Sequence, residues 1–337
     1  MTLAFVCGCA APALDVEERA FLRDARPWGL ILFKRNVVDR AQLRALTQTF
    51  RDCVGRADAP VFIDQEGGRV QRLGPPHWRA YPAAARFESA ADPPRAAWLA
   101  ARLIAHDLRE VGITIDCAPV LDVADAETHA VIGARAFSRS PERVAALGRA
   151  FCDGLLAGGV LPVVKHMPGH GRARADSHLE LPVVAASRAE LVARDFAPFA
   201  ALRDAPMAMT AHVVFSAIDP GAPATVSPIV VERVMRGAIG FEGLIVSDDL
   251  SMKALGGSLG ERARAAFEAG LDVALHCNGD LVEARAVAEA SPKLARNDDS
   301  RRRAELALSK IVDRPQPFDL EAARAELEAA LPLESAA

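Results

Sequence analysis

The residues best suited to covalent chemistry are two adjacent aspartates, Asp248 and Asp249, which directly follow the run 243–247 (GLIVS). An aspartate carboxylate can act as a nucleophile or accept a proton. Aspartate is also a preferred N-cap residue of helices, so capping is an equally good interpretation of Asp248 taken alone. We expect Asp249 to be the cap, and the other motifs of the chain have to decide the role of Asp248.

A second candidate is the segment 165–178 (KHMPGHGRARADSH), which carries three histidines. Its glycines permit a mobile loop, and a loop bearing Asp176 and His178 suits a group that must swing in to deliver a proton. Asp176 can hydrogen-bond the His178 imidazole, which fixes its tautomer and raises its pKa. Zinc is the rival interpretation, but His166 and His170 lack a supporting cysteine or acidic ligand at standard spacing, so we expect no metal.

Charged side chains also follow other apolar runs, notably in the segment 64–72 (DQEGGRVQR) and in the turn 132–137. An isolated exposed arginine is usually solvated surface. Arginine and lysine presented beside a carboxylate can instead bind sugar hydroxyls through charge-assisted, planar hydrogen bonds. Arg72, Arg135 and Lys165 are basic residues of this kind, and Asp64 is the carboxylate.

Eight short, β-rich apolar runs recur along the chain, and helical patterns separate most of them. The predicted strands are 3–9, 29–33, 60–64, 113–120, 161–166, 206–215, 243–247 and 272–277. The predicted helices are 41–54, 95–111, 141–157, 188–204, 228–239, 260–269 and 281–290. Near-continuous hydrophobic strands indicate a parallel sheet covered by helices on both faces.

This alternation predicts an α/β fold with a single (β/α)8 TIM barrel over residues 1–300 and a helical extension, residues 301–337, packed on the barrel. A doubly wound open sheet is the alternative, but no Gly-x-Gly-x-x-Gly follows the first strand. Barrel chemistry is built at the C-terminal ends of the strands. Four predicted strands end in polar groups, around Asp64, Lys165, Thr210 and Asp248, and we expect these ends to converge.

Bulk properties exclude several classes of protein. The 337 residues are 51% hydrophobic and 25% charged, with a formal net charge of −4, so nothing indicates a nucleic-acid partner. No apolar run reaches the roughly 18 residues of a membrane span, and no positive residue precedes the apolar N-terminus. We therefore expect a cytoplasmic monomer without membrane contact. The six cysteines lack the spacing of a disulfide framework and are expected to be buried hydrophobes.

Three motifs taken together resemble a known family. The segments 64–72, 165–171 with 176–178, and 243–252 (GLIVSDDLSM) resemble, in this order, the signatures of bacterial β-N-acetylglucosaminidases of glycoside hydrolase family 3. The resemblance implies a retaining hydrolase that removes terminal, non-reducing β-linked N-acetylglucosamine (GlcNAc). It further implies that the substrates are chiefly GlcNAc-anhydro-muropeptides, in peptidoglycan recycling in the cytoplasm, and that no cofactor is needed.

The resemblance also implies roles for individual residues. Asp248 is the nucleophile, His178 the acid/base and Asp176 its partner. The residues that hold the sugar are Asp64, Arg72, Arg135, Lys165 and His166. His212, in the phrase 210–212 (TAH), is a weaker candidate for supporting the site. Phosphorolysis by the same fold and a catalytically silent sugar-binding protein are the alternatives. The basic residues Arg172 and Arg174 suggest, from charge alone, that the group attached to the sugar is anionic.

Overall fold

The computed structural model describes residues 1–177, 179–294, 299–311, 315 and 317–331. Eight parallel strands close into a barrel in which neighbours along the chain are neighbours in space, and the last strand pairs with the first. The strands are β1 Leu3–Cys7, β2 Pro27–Leu32, β3 Val61–Ile63, β4 Ile115–Asp116, β5 Leu161–Met167, β6 Met207–Thr210, β7 Leu244–Asp249 and β8 Val273–His276. The predicted (β/α)8 barrel is confirmed.

Helices connect the strands and cover the outside of the barrel. They are α1 Val16–Ala25, α2 Arg40–Val54, α3 Pro93–Glu110, α4 Pro141–Ala157, α5 (Arg188–Glu190, Leu191–Asp195 and Ala197–Ala201), α6 Val230–Ala238, α7 Leu259–Glu268 and α8 Leu281–Ala290. The Leu191–Asp195 part of α5 and all of α6 are π-helical. Within the described part of the chain, none of the helices combines the length and the apolar character that crossing a bilayer requires.

Hydroxyl caps explain where several helices begin. Ser140 and Ser187 each accept the amide N–H three residues later at 3.3 Å, and Ser227 does so at 3.1 Å. Each hydroxyl thereby satisfies an N–H group that the first turn of the helix leaves without a partner. Helix α1, which the sequence patterns did not predict, begins with a capping box in which Asp15 and Glu18 each accept the other's backbone N–H.

The hydrophobic core has two layers. One fills the barrel interior with side chains such as Phe62, Met207 and Leu244, and the other lies between the strands and the surrounding helices. Two further helices follow the barrel, α9 Asp299–Leu308 and α10 Leu320–Ala330. Ala304 of α9 packs into the interior layer, and Leu327 of α10 packs into the outer layer.

Two predicted strands are shorter in the structure. The predicted strand 206–215 divides into β6 and Val214–Phe215, which pairs outside the barrel with Val183–Val184. The predicted strand 113–120 reduces to β4 and an isolated bridge from Val120 to β5, because Pro119 cannot donate a hydrogen bond to a ladder. Residues 211–213 therefore belong to a loop at the C-terminal end of the barrel.

Candidate active site

A cavity of about 350 Å³ opens at the C-terminal ends of the strands. It is lined by all five predicted binding residues and by the predicted nucleophile: Asp64, Arg72, Arg135, Lys165, His166 and Asp248. These side chains come from β5, β7 and the loops after β3 and β4. The barrel therefore brings together residues that lie up to 184 positions apart in the sequence.

Lys165 is the centre of a buried ion network. Its Nζ lies 2.8 Å from Asp64 Oδ1 and 2.6 Å from Glu66 Oε1, and only 2% of its side chain is exposed. Arg72 donates to the other oxygen of Asp64 at 3.0 Å. Arg135 donates to both oxygens of Glu66, each at 2.8 Å, which is a bidentate pair. The network fixes the positions of three cations along one side of the cavity.

The two carboxylates of this network are ionised. Burial opposes the charge of Asp64, but Lys165 and Arg72 together hold its pKa well below the usual range. Burial likewise opposes the charge of Glu66, and Lys165 and Arg135 lower its pKa. Asp64, which lines the cavity, can therefore accept hydrogen bonds from hydroxyl groups, while the surrounding cations can donate them.

A tight hairpin after β3 presents these groups. Gln65–Gly67 pairs antiparallel with Val70–Gln71. Gly67 has a φ of 93°, and a Cβ there would lie 2.3 Å from the carbonyl oxygen of Pro82, so this turn requires glycine. Glu66 belongs to the motif 64–72, but the sequence analysis assigns it no role. Its position near Asp64 in a glycine-rich turn is the feature that could have identified it.

His166 is oriented by a carboxylate that the sequence analysis missed. Its Nδ1 lies 2.7 Å from Asp122 Oδ2, and Asp122 Oδ1 accepts the backbone N–H of His170 at 2.6 Å. Burial opposes the charge of Asp122, but His166 holds the pKa of Asp122 below its usual value. Since a carboxylate accepts, Nδ1 carries a proton, and Nε2 of His166 faces Arg135 at 3.4 Å. Asp122 closely follows the predicted strand 113–120. The same pattern, a polar residue after an apolar run, identified the other polar strand ends.

Asp248 lies at the C-terminal end of β7 with its carboxylate fixed on one side. Its Oδ1 accepts the backbone N–H of Asp249 at 2.8 Å. Burial raises the pKa of Asp248, but His212, His166 and that N–H lower it by a larger amount. The pKa of Asp248 is therefore below the ordinary value, and the group is an anion. An ionised, partly fixed carboxylate at the cavity wall can attack an electrophilic carbon.

Asp249 is not a helix N-cap, and that prediction is wrong. Its Oδ1 accepts the backbone N–H groups of Ser251 and Cys277, at 3.0 and 3.1 Å, and its Oδ2 accepts the Ser251 hydroxyl at 2.6 Å. The residues that follow form turns, and the next helix, α7, is capped by Ser258. Asp249 thus ties the end of β7 to β8 and the turn between them.

The loop that bears the predicted proton donor lies beside the cavity. Ser177 lines the cavity, and its hydroxyl lies 3.2 Å from His170 Nε2. The carbonyl oxygen of Asp176 accepts the N–H of Leu179 at 2.8 Å. His178 lies outside the described residues, so its role and its pairing with Asp176 stay predictions. His212 lies behind the cavity wall, where its Nε2 is 3.0 Å from the carbonyl oxygen of Asp249.

The basic residues of this loop are paired with carboxylates. Arg172 Nε lies 2.7 Å from Asp195 Oδ2, and Arg174 forms an ion pair with Glu127. Neither arginine is among the residues that line the cavity. The hypothesis that they recognise an anionic group therefore loses its basis. Across the described ranges, no group of three or more His, Cys, Asp or Glu side chains is arranged to hold a metal ion.

All six cysteines are free thiols. Cys7, Cys9, Cys117, Cys152 and Cys277 are buried, and burial raises the pKa of Cys9 to about 12. A thiol with so high a pKa is not a nucleophile near neutral pH. The interpretation of these five residues as buried hydrophobes is confirmed.

Comparisons with known proteins agree with this geometry. Residues 7–304 match the family described as "Glycosyl hydrolase family 3 N terminal domain". A β-hexosaminidase of Methylococcus capsulatus is 41% identical over 308 residues, which cover 90% of this chain and 91% of that protein. The structure of NagZ from Neisseria gonorrhoeae in complex with N-trifluoroacetyl-D-glucosamine has a TM-score of 0.84 at 35% identity and covers 97% of both chains. A family 3 β-N-acetylglucosaminidase from Paenibacillus sp. str. FPU-7 has a TM-score of 0.81 at 31% identity, over 99% of this chain and 63% of that one.

Proposed function

Since the chain belongs to glycoside hydrolase family 3 and acts as a β-N-acetylhexosaminidase, we propose that it removes a terminal, non-reducing β-linked GlcNAc with retention of configuration. The reaction proceeds through a covalent bond between Asp248 and the anomeric carbon. The natural substrates are GlcNAc-anhydro-muropeptides released in peptidoglycan recycling, which places the reaction in the cytoplasm.

One observation carries the mechanism. Asp248 is the carboxylate at the end of β7, its pKa is lowered, and it lines the same cavity as Asp64 and Lys165. Its Oδ1 is engaged by the N–H of Asp249, and among the described residues Oδ2 has no hydrogen-bond partner. Oδ2 is therefore the oxygen available to attack.

The first step forms the glycosyl-enzyme. Asp248 Oδ2 attacks the anomeric carbon as the bond to the leaving oxygen breaks, through an oxocarbenium-like transition state. The protonated imidazole of His178 gives its proton to that oxygen. In the second step the neutral imidazole takes a proton from water, and the resulting hydroxide displaces Asp248. His178 thereby takes the place of the second carboxyl group that most retaining glycosidases use.

The ion network holds the sugar during these steps. Asp64 accepts hydrogen bonds from sugar hydroxyls, and Arg72, Arg135 and Lys165 donate them. Glu66 does not line the cavity, and it holds Arg135 and Lys165 in place. Because these groups are fixed by one another before the sugar enters, little rotational freedom is lost on binding. The N. gonorrhoeae relative binds an N-acylated glucosamine, which supports an N-acetylated sugar as the occupant.

The test is hydrolysis of a chromogenic β-N-acetylglucosaminide by the wild type, Asp248→Asn and His178→Ala, with mass spectrometry after a slow-turnover fluorosugar. The expected result is an adduct on Asp248 and a loss of at least about 1,000-fold in kcat for Asp248→Asn. Full activity of Asp248→Asn would remove the nucleophile from the proposal. Assays with and without phosphate, with the product identified, separate hydrolysis from phosphorolysis.

A further inference from the structure

Two threonines and a histidine form a buried group behind the strand that carries the nucleophile. Thr210 ends β6, His212 follows two residues later, and Thr225 lies in the turn Ala224–Val226 before α6. All three side chains are fully buried, and none is among the residues that line the substrate cavity. Their polar atoms are therefore available only to one another and to the neighbouring backbone.

Their hydrogen bonds form a closed ring with the backbone of β7 at Asp248 and Asp249. The backbone N of Asp248 lies 3.4 Å from Thr210 Oγ1, which lies 2.8 Å from Thr225 Oγ1. Thr225 Oγ1 lies 2.7 Å from His212 Nδ1, and His212 Nε2 lies 3.0 Å from the carbonyl oxygen of Asp249. The ring thus begins at the nitrogen of Asp248 and returns to the next residue of the same strand.

The direction of each hydrogen bond follows from elementary chemistry. A carbonyl oxygen only accepts, so His212 carries a proton on Nε2. Burial lowers the pKa of His212, which leaves the imidazole neutral near pH 7 and makes Nδ1 an acceptor. Thr225 therefore donates to Nδ1 and, having a single proton, accepts from Thr210. The oxygen of Thr210 in turn accepts the N–H of Asp248.

The carbonyl oxygen of Ala211 is the competing acceptor, at 3.1 Å from Thr225 Oγ1. If Thr225 donated there, the neutral His212 would present a lone pair on Nδ1 to an oxygen lone pair at 2.7 Å, and a buried acceptor would be left without a donor. The shorter contact to Nδ1 and this penalty both favour the closed ring.

We propose that Thr225 is a positioning residue for the reaction. It acts through Thr210 and His212 to hold the N–H of Asp248 and the carbonyl oxygen of Asp249, which flank the peptide between these two residues. The inference rests on Asp248 being the nucleophile. Since the N–H of Asp249 donates to Asp248 Oδ1 at 2.8 Å, a rotation of this peptide would turn the attacking carboxylate. Displacing a reacting group by about 1 Å can lower a rate by about 100-fold.

The experiment compares Thr225→Val, which keeps the shape and removes the hydroxyl, with Thr225→Ser, which keeps the hydroxyl. The assays are kcat and KM on a chromogenic β-N-acetylglucosaminide and the rate of covalent labelling by a fluorosugar. We expect Thr225→Val to lower kcat and the labelling rate by about 10- to 100-fold with KM within about threefold. Thr225→Ser is expected to restore kcat to within about threefold of the wild type.

Wild-type kcat in Thr225→Val, or equal losses in the two variants, would overturn the positioning role and leave the proposed function intact. Inactivity of the wild type in the same assay would instead overturn the function. If Thr225→Val does not fold, ¹⁵N-histidine NMR of the wild type decides, with the His212 signals assigned by comparison with His212→Gln. A neutral ring protonated on Nε2 supports the closed ring, and a ring protonated on Nδ1 overturns it.

Discussion

His170 Nε2 lies 3.2 Å from the hydroxyl of Ser177, and this contact joins the wall of the cavity to the loop that bears Asp176. The backbone of His170 is itself held, because its N–H donates to Asp122 at 2.6 Å. The loop is therefore attached to a fixed point one residue away from the predicted proton donor, His178.

Ser177→Ala removes this attachment without changing the fold of the barrel. If His178 is the proton donor, as proposed, the variant holds it in place for less of the time. We therefore expect kcat on a chromogenic β-N-acetylglucosaminide to fall by about 3- to 30-fold, while the melting temperature stays within about 2 °C. Ser216→Ala is the matched control, since the Ser216 hydroxyl bonds Val184 outside the barrel. Equal kinetics for the two variants would show that the contact does not position the loop.

The barrel could be predicted from the sequence because each of its strands and helices is marked by a pattern of neighbouring residues. Strands such as 161–166 and helices such as 141–157 have the right period, length and breakers, and the fold then places their ends together. Asp64, Lys165 and Asp248 line one cavity for the same reason, since each lies at the C-terminal end of a strand.

What the sequence could not supply is the pairing between side chains. The partners Glu66–Arg135 and Asp122–His166 are 69 and 44 positions apart, and no spacing rule connects them. Asp249 resembled a cap because it follows an apolar run, whereas its actual partners include the backbone of Cys277, directly after the next strand. Such contacts are set by the closure of the barrel rather than by local preference.

Glu66→Gln tests the ion network. The amide cannot accept two hydrogen bonds from Arg135 or offset its charge, so we expect kcat/KM to fall by about 100-fold, largely through KM. Glu305→Gln is the control, because it breaks the exposed pair with Arg301 and should leave kcat/KM unchanged within about twofold. If the two variants behave alike in steady-state kinetics, Glu66 has no part in holding the sugar.

Asp122→Asn tests the orientation of His166. An asparagine can donate its N–H to Nδ1, which would move the imidazole proton to Nε2 and remove the acceptor that faces Arg135. We expect kcat/KM to fall by at least about 10-fold with little change in the melting temperature. Asp153→Asn on α4, an exposed position, is the control. Retention of wild-type kcat/KM in Asp122→Asn would mean that the tautomer of His166 is irrelevant to the reaction.

His170 makes stability depend on pH. Burial lowers its pKa to about 4, against 6.5 for an unperturbed histidine. Above pH 6.5 both states are neutral and the group has no effect. As the pH falls towards 4, the unfolded chain takes up a proton that the folded protein does not, and the free energy of unfolding drops by about 2 kcal/mol at pH 5.

Urea unfolding at pH 7.5 and pH 5 checks this dependence in the wild type, in His170→Gln and in His106→Gln on α3. We expect the loss of stability between the two pH values to be smaller in His170→Gln and unchanged in His106→Gln. An identical loss in all three proteins would assign the pH dependence to other groups, such as His212, whose pKa burial also lowers.

Leu327→Ala tests whether α10 is part of the folded unit. Leu327 is 2% exposed and packs in the outer core layer, so its truncation should lower the free energy of unfolding by about 2–4 kcal/mol.

Glu326→Gln is the matched comparison on the same helix. Glu326 forms an exposed ion pair with Arg95 at 2.7 Å, and its replacement should lower the free energy of unfolding by less than about 1 kcal/mol. Urea unfolding followed by circular dichroism measures both, and kcat on the chromogenic substrate should stay at the wild-type value because α10 lies on the outside of the barrel against α3. Equal, small losses in the two variants would mean that α10 does not fold cooperatively with the barrel, and the core would then end before Leu320.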